Sequence, residues 1–143
     1  MTPLPELPVP GVRALEHTAD LGLEVDAPDP AALFERAALG MVWLLDERPP
    51  PEPTLHRSVV LTAPDLPALL RAWLREILLW HEMEGFAPSS ATFTVLEDAR
   101  LEAEVRGGAA SPAPVREIKG VTLHALAAEA RNQRWWARVI FDV

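Results

Sequence analysis

Two carboxylates far apart in the chain are the residues best suited to chemistry. Asp20 closes the segment Glu16-His17-Thr18-Ala19-Asp20-Leu21-Gly22, and Asp142 lies in Val139-Ile140-Phe141-Asp142-Val143. Val143 follows directly and is expected to offer its α-carboxylate. If the two segments meet in space, hard oxygen donors converge, and oxygen-only ligation favours Ca²⁺, Mg²⁺ or Mn²⁺ over Zn²⁺. Clustered anions also repel one another unless a cation lies between them. Each residue has a plainer reading when taken alone. Asp20 suits a turn carboxylate that accepts from nearby amides, His17 a satisfied turn or core histidine, and Asp142 a solvated chain end.

Two further charged residues enter on weaker grounds. Glu84 closes Trp80-His81-Glu82-Met83-Glu84, where an acid meets the unfavourable end of a helix dipole. It reads either as a fraying helix end or as a secondary site residue. Lys119, in Glu117-Ile118-Lys119-Gly120-Val121, enters a strand expected beside the terminal one. It reads either as a solvated strand-edge lysine or as a cation aimed at a phosphate or at a partner's carboxylate.

The elements that must position these residues follow from periodicity. Arg13 to His17 reads as a short strand, and Leu21, Leu23 and Val25 alternate with polar positions as a half-buried second one. The turn between them is His17–Asp20. Asp29-Pro30 opens a helix as cap and first residue, with Leu33, Phe34, Ala37, Ala38, Met41, Val42 and Leu45 facing inward. Pro49–Pro53 forms a loop, and Ser58–Thr62 a strand. Asp65 caps a second helix with Leu66, Leu69, Leu70, Trp73, Leu74, Ile77 and Leu78 inside, and Gly85 ends it.

Strands are then expected at Phe93–Leu96 and Leu101–Val105. Gly107–Pro114 reads as a surface loop. Val121–Ala127 and Trp135–Phe141 read as a hairpin around Arg131-Asn132-Gln133-Arg134. Trp135 and Trp136 must face opposite ways, leaving one exposed. The order predicts an α+β two-layer sandwich, with two helices packed on one face of a mainly antiparallel sheet. Strand-helix-strand units are expected to recur. Residues 1–12 are proline-rich and read as a tail that orders on contact.

Composition narrows the function. The 143 residues suit one domain, and 49% are apolar, enough to bury a core. There is no cysteine, which excludes disulfides and thiolate metal sites and fits a reducing, cytoplasmic setting. The start of the chain lacks the basic and apolar regions of a signal peptide, and no apolar run is long enough to span a bilayer. A net charge of −8 argues against tight binding of RNA or DNA by this chain alone. No phosphate-binding loop, dinucleotide fingerprint, nucleophile elbow or paired metalloprotease histidines are present.

Five segments in order, Glu16–Gly22, Ala37-Ala38-Leu39-Gly40-Met41, Glu84-Gly85-Phe86, Ile118–His124 and Val139–Val143, resemble the archease family. The resemblance runs from about Arg13 to the last residue and implies a single domain over residues 1–143. It implies a non-catalytic accessory protein of an RtcB-type RNA ligase, promoting ligase guanylylation and multiple turnover in tRNA splicing and RNA repair. RNA would be engaged only indirectly.

The resemblance also assigns metal binding to Asp20 and Asp142, with Val143 adding an oxygen and Ca²⁺ the foremost cation, ahead of Mg²⁺ or Mn²⁺. The family's lysine falls on Lys119, and His17 and Glu84 become partner-facing candidates. The family's glycine-containing turn before the last strand is replaced by Arg131-Asn132-Gln133-Arg134. The competing readings are a chaperone-like modulator of nucleic-acid-processing proteins and a stand-alone metal-dependent phosphoester hydrolase.

Overall fold

The computed structural model describes residues 2–17 and 20–143, with side chains described for residues 6–15 and 20–143. In chain order the elements are β1 (Thr2–Glu6), β2 (Val12–His17), β3 (Asp20–Ala27), α1 (Pro30–Asp46), β4 (Leu55–Thr62) and α2 (Leu66–Glu84). They continue with β5 (Phe86–Leu96), β6 (Arg100–Ala109), β7 (Gly120–Val121), β8 (Ala127–Arg131) and β9 (Arg134–Asp142). Two helices packed on antiparallel strands make the α+β class expected from the sequence. The strands, however, divide into two sheets rather than one. A six-stranded sheet runs β1-β2-β3-β9-β7, with β8 also on β9, and a three-stranded sheet runs β4-β6-β5. Both edges of β6 are taken by its neighbours, and the chain then leaves for the other sheet.

The helices begin as their caps dictate. Asp29 accepts from the Ala32 amide at 2.7 Å and Asp65 from the Ala68 amide at 2.9 Å, each satisfying a donor that the first turn leaves free. At the end of α2, Gly85 takes φ +61°, and its N–H returns to the Trp80 carbonyl. Helix α1 packs on β3 of one sheet and β5 of the other, while α2 meets α1, β5 and β8. Where α1, α2 and β5 meet, Phe93 of β5 stands edge-on to Phe34 at 6.0 Å and to Trp73 at 5.2 Å. The fully buried Trp73 ring satisfies its one polar atom by donating to the Phe34 carbonyl at 2.9 Å. Truncating such a side chain costs about 3–5 kcal/mol.

Four local expectations change. The proline-rich start includes an edge strand, β1, paired antiparallel with β2, and Val9 and Val12 are buried beyond it. An edge tolerates Pro3 and Pro5 because a donor lost there need not break a ladder. Second, β5 begins at Phe86, directly after the Gly85 cap.

Third, Gly107 and Gly108 belong to β6 rather than to a loop. A Cβ on Gly107 would collide with the Ala87 carbonyl of β5, so the close approach of the two strands needs glycine there. Fourth, the strand expected over Val121–Ala127 splits into β7 and β8. The Thr122 hydroxyl donates to Ile140 O at 2.9 Å and accepts the His124 amide at 3.2 Å, and Ala125 takes φ 53°. The Thr122 amide still bonds Ile140 O, and local bonds replace the ladder over Leu123–Leu126. No helix among the described residues is long and apolar enough to cross a membrane.

Candidate functional site

The antiparallel pairing of β3 with β9 sets Leu21 opposite Phe141 and Gly22 opposite Ile140. Continuing that register by one residue brings Asp20 beside Asp142. On the flanking strands, His17 pairs with Asp20 and Gly120 pairs with Asp142. Residues 17, 20, 142 and 120, from four strands and both ends of the sequence, therefore form one transverse row at the end of the six-stranded sheet. Lys119 sits one residue from that row and donates its amide to the Asp142 carbonyl at 2.7 Å.

Alternation explains which way the acids point. Leu21, Leu23 and Val25 of β3, with Val139 and Phe141 of β9, fill the core face, so Asp20 and Asp142 lie on the outer face, and both are exposed. Gly22 and Ile140 form the next pair inward on that face. A Cβ on Gly22 would lie 2.9 Å from Ile140 Cδ1, so the glycine leaves room for the buried isoleucine. Opposed side chains of such a pair have Cβ atoms about 4.5–5.5 Å apart, and like charges there are destabilising.

Further along the same face the acids are compensated. Arg134 holds Asp26 with Nη2 at 2.8 Å and Nε at 3.0 Å, and Arg13 lies 4.0 Å from Glu24. The hydrogen bond from Arg134 holds the Asp26 carboxyl below its ordinary range. Asp20 and Asp142 have no ion pair among the described residues. Trp136 also lies on this face but is half-buried, because the Arg131 guanidinium stacks 3.5 Å from its ring and Arg138 lies at 5.3 Å. Trp135 packs against the core, so the two rings face opposite ways as expected, but neither is left bare.

The remaining candidates are placed differently. The His17 side chain, Thr18 and Ala19 lie outside the described residues. Val143 follows Asp142 and is half-exposed. Glu84 is drawn to the other sheet, where Arg57 of β4 donates to it from both Nε and Nη2 at 2.9 Å. Lys119 borders a groove against α2, together with Glu76, Leu79 and Glu82. Among the described residues no cluster of three or more His, Asp or Glu side chains gathers. Side chains alone thus supply part of a six- to eight-oxygen shell. Asp20 and Asp142 are oxygen donors of the kind a hard cation takes, and main-chain oxygens, water or a partner would have to complete its sphere.

One polar feature has no counterpart in the sequence reading. Asp46 at the end of α1 and His81 near the end of α2 are both buried and meet at 2.8 Å between Oδ1 and Nε2. The second Asp46 oxygen accepts the Ser111 amide at 3.1 Å. Val115 then bonds the Leu45 carbonyl, and Arg116 reaches Leu44 O and Glu47. The loop leading to Lys119 is thereby pinned to the end of α1. Asp46 also borders an apolar cavity of about 290 Å³ lined by Leu39, Val42, Trp43 and Pro50. The signal was present in outline, since His81 falls four residues after Ile77 on the buried stripe.

Comparison with known proteins bears on the family and the fold. A profile of the Archease protein family matches residues 13–143. The chain is 34% identical to Protein archease of Methanopyrus kandleri over 137 residues, covering 90% of this chain and 96% of the relative. It is 32% identical to Protein archease of Thermococcus kodakarensis, covering 90% and 95%. A solution structure of a Methanobacterium thermoautotrophicum protein superposes with a TM-score of 0.75 at 27% identity, covering 93% of this chain and 99% of that one. A Thermotoga maritima crystal structure, described as an archease and possible chaperone, shares the fold with a TM-score of 0.60 at 20% identity, covering 90% and 94%.

Proposed function

The chain belongs to the archease family, and from that membership we propose that it is a metal-binding accessory protein of an RtcB-type RNA ligase. It promotes ligase guanylylation and multiple turnover in tRNA splicing and RNA repair, and it is not itself an enzyme. The observation that supports this most is the juxtaposition of Asp20 and Asp142 in one exposed row, adjacent acids without an ion-pair partner among the described residues. A divalent cation, Ca²⁺ foremost and Mg²⁺ or Mn²⁺ otherwise, offsets their repulsion, with Val143 adding an oxygen. When bound, the cation supplies a concentrated positive charge.

The chain's own residues do the rest. Asp20 and Asp142 present oxygens on a rigid sheet end, and Lys119, whose main-chain N–H donates to the Asp142 carbonyl, presents a second cationic group nearby. Such a surface suits docking against a phosphate-binding, metal-containing active centre, where it biases the ligase toward the state that accepts guanylate. The ligase is the partner, and RNA is met only through it.

The test is ligase–guanylate formation with wild type, Asp20→Ala and Asp142→Ala, alongside thermal unfolding with and without Ca²⁺. Wild type should stimulate the ligase and gain about 2.7 kcal/mol at a cation concentration of 100 times Kd, and both variants should lose both effects. Equal stimulation by all three proteins would remove the acid pair from the mechanism. Suppressed aggregation of unrelated proteins, insensitive to Asp20→Ala, would favour the chaperone-like reading suggested by the description of the Thermotoga maritima relative. Phosphoester turnover without the ligase would favour a hydrolase.

A further inference from the structure

Lys119 is exposed, and its ammonium forms no ion pair among the described residues. What places it is therefore the main chain beneath it. That main chain is irregular, because residues 110–119 join β6 to β7 without forming a helix or strand. Holding such a segment in one conformation opposes its conformational entropy, so specific contacts must do it. The ladder between β7 and β9 is only two residue pairs long and cannot do it alone.

Two arginines supply contacts on either side of the lysine. Upstream, Arg116 Nη1 donates to the Leu44 carbonyl at 3.0 Å and to Glu47 Oε1 at 2.9 Å. The adjacent Val115 amide donates to Leu45 O at 2.7 Å. The last carbonyls of a helix lack partners within it, and that end favours a cation, so the end of α1 is a natural anchor for an arginine. Downstream, Arg71 of α2 donates from Nε to the Val121 carbonyl at 2.7 Å. Among the described residues Arg71 makes this one hydrogen bond and no ion pair. Between the anchors Ile118 and Val121 are buried, and the Lys119 and Thr122 amides donate to the Asp142 and Ile140 carbonyls at 2.7 and 3.0 Å.

We infer that Arg71 and Arg116 are positioning residues, which fix the main chain on both sides of Lys119 and so set where its ammonium stands relative to the Asp20–Asp142 row. A lysine carries its charge on a flexible four-carbon stem, so a fixed root is what confines that charge to one region of a partner. Neither arginine need touch the partner, since each acts through Lys119. The inference rests on the reading above that Lys119 and the row act on a ligase.

The test is a double-mutant cycle on the full chain, read by ligase–guanylate formation, together with amide hydrogen exchange. Arg71→Met and Arg116→Met should each speed exchange of the Lys119 amide at least about tenfold, while the Leu23 and Val139 amides of β3 and β9 exchange as in wild type. Each should lower stimulation at least about fivefold in the wild-type background but less than about twofold in Lys119→Ala, because residues that act through one group are not additive. Arg71→Lys, which keeps a donor, should recover part of the stimulation. Arg100→Met, which removes a similarly exposed ion pair with Glu102 on the other sheet, should change neither readout. An equal fold-loss in both backgrounds, faster exchange throughout β3 and β9, or an unchanged Lys119 amide would overturn the positioning role while leaving the accessory function intact. Full stimulation by Lys119→Ala would overturn it as well. No stimulation by wild type would overturn the ligase reading and this inference together.

Discussion

Replacing Asp46 with alanine should cost about 3 kcal/mol, because it leaves His81 buried without its partner and the Ser111 amide without an acceptor. Urea unfolding of wild type and Asp46→Ala reads this directly. The surface pair Asp26–Arg134 behaves differently. The bond from Arg134 lowers the Asp26 pKa from its ordinary value of 3.8, so the folded state holds the ionised form more tightly than the unfolded chain does. That stabilisation is present above 3.8 and is lost as pH falls through the lower folded value. Arg134→Gln should therefore be less stable than wild type at neutral pH, and the gap should close below pH 3.8 in acid titrations followed by circular dichroism. The sequence drew attention to Asp20 by its place in a turn between two strand-like runs and to Asp142 by its place in an otherwise apolar run. It hid the Asp46–His81 contact because two residues 35 apart on separate helices meet only once those helices pack.

At the scale of elements, the hairpin of β8 and β9 turns on Asn132 and Gln133, both left-handed at φ 50° and 65°. Two consecutive positive φ values define the turn whose twist matches the flanking strands, and glycine is favoured at its second position. Gln133→Gly should raise stability by about 1 kcal/mol, since a left-handed residue with a side chain carries a cost of about that size. Thermal unfolding checks it, and an unchanged midpoint would mean that the glutamine is not strained.

This turn was legible as Arg131–Arg134 because polar residues separate two strand-like runs. The helices were equally legible, each announced by an aspartate cap and an unbroken apolar stripe. The short strands were not. Periodicity reports a strand's faces but not its partners, so Val121–Ala127 looked continuous until Thr122 and Ala125 broke it. Gly107-Gly108 looked like a loop because the neighbour that requires glycine there, Ala87, lies twenty residues away.

For the whole molecule, the α+β class followed from element order, but the division into two sheets did not, because order alone does not say which edges pair. That division has a mechanical consequence. Among the described residues no ladder joins β4-β6-β5 to the larger sheet, and the two are coupled through the helices, α1 packing on β3 and β5 and α2 on β8 and β5. Cooperativity between them is then only as strong as side-chain packing on the two helices. The smaller sheet can open as a unit of its own while the larger one, which carries the row of residues 17, 20, 142 and 120, stays closed. Amide hydrogens of β4 and β6 would exchange together through that partial opening, ahead of those in β3 and β9, and the end of the protein that carries this row would keep its geometry through excursions that expose the rest.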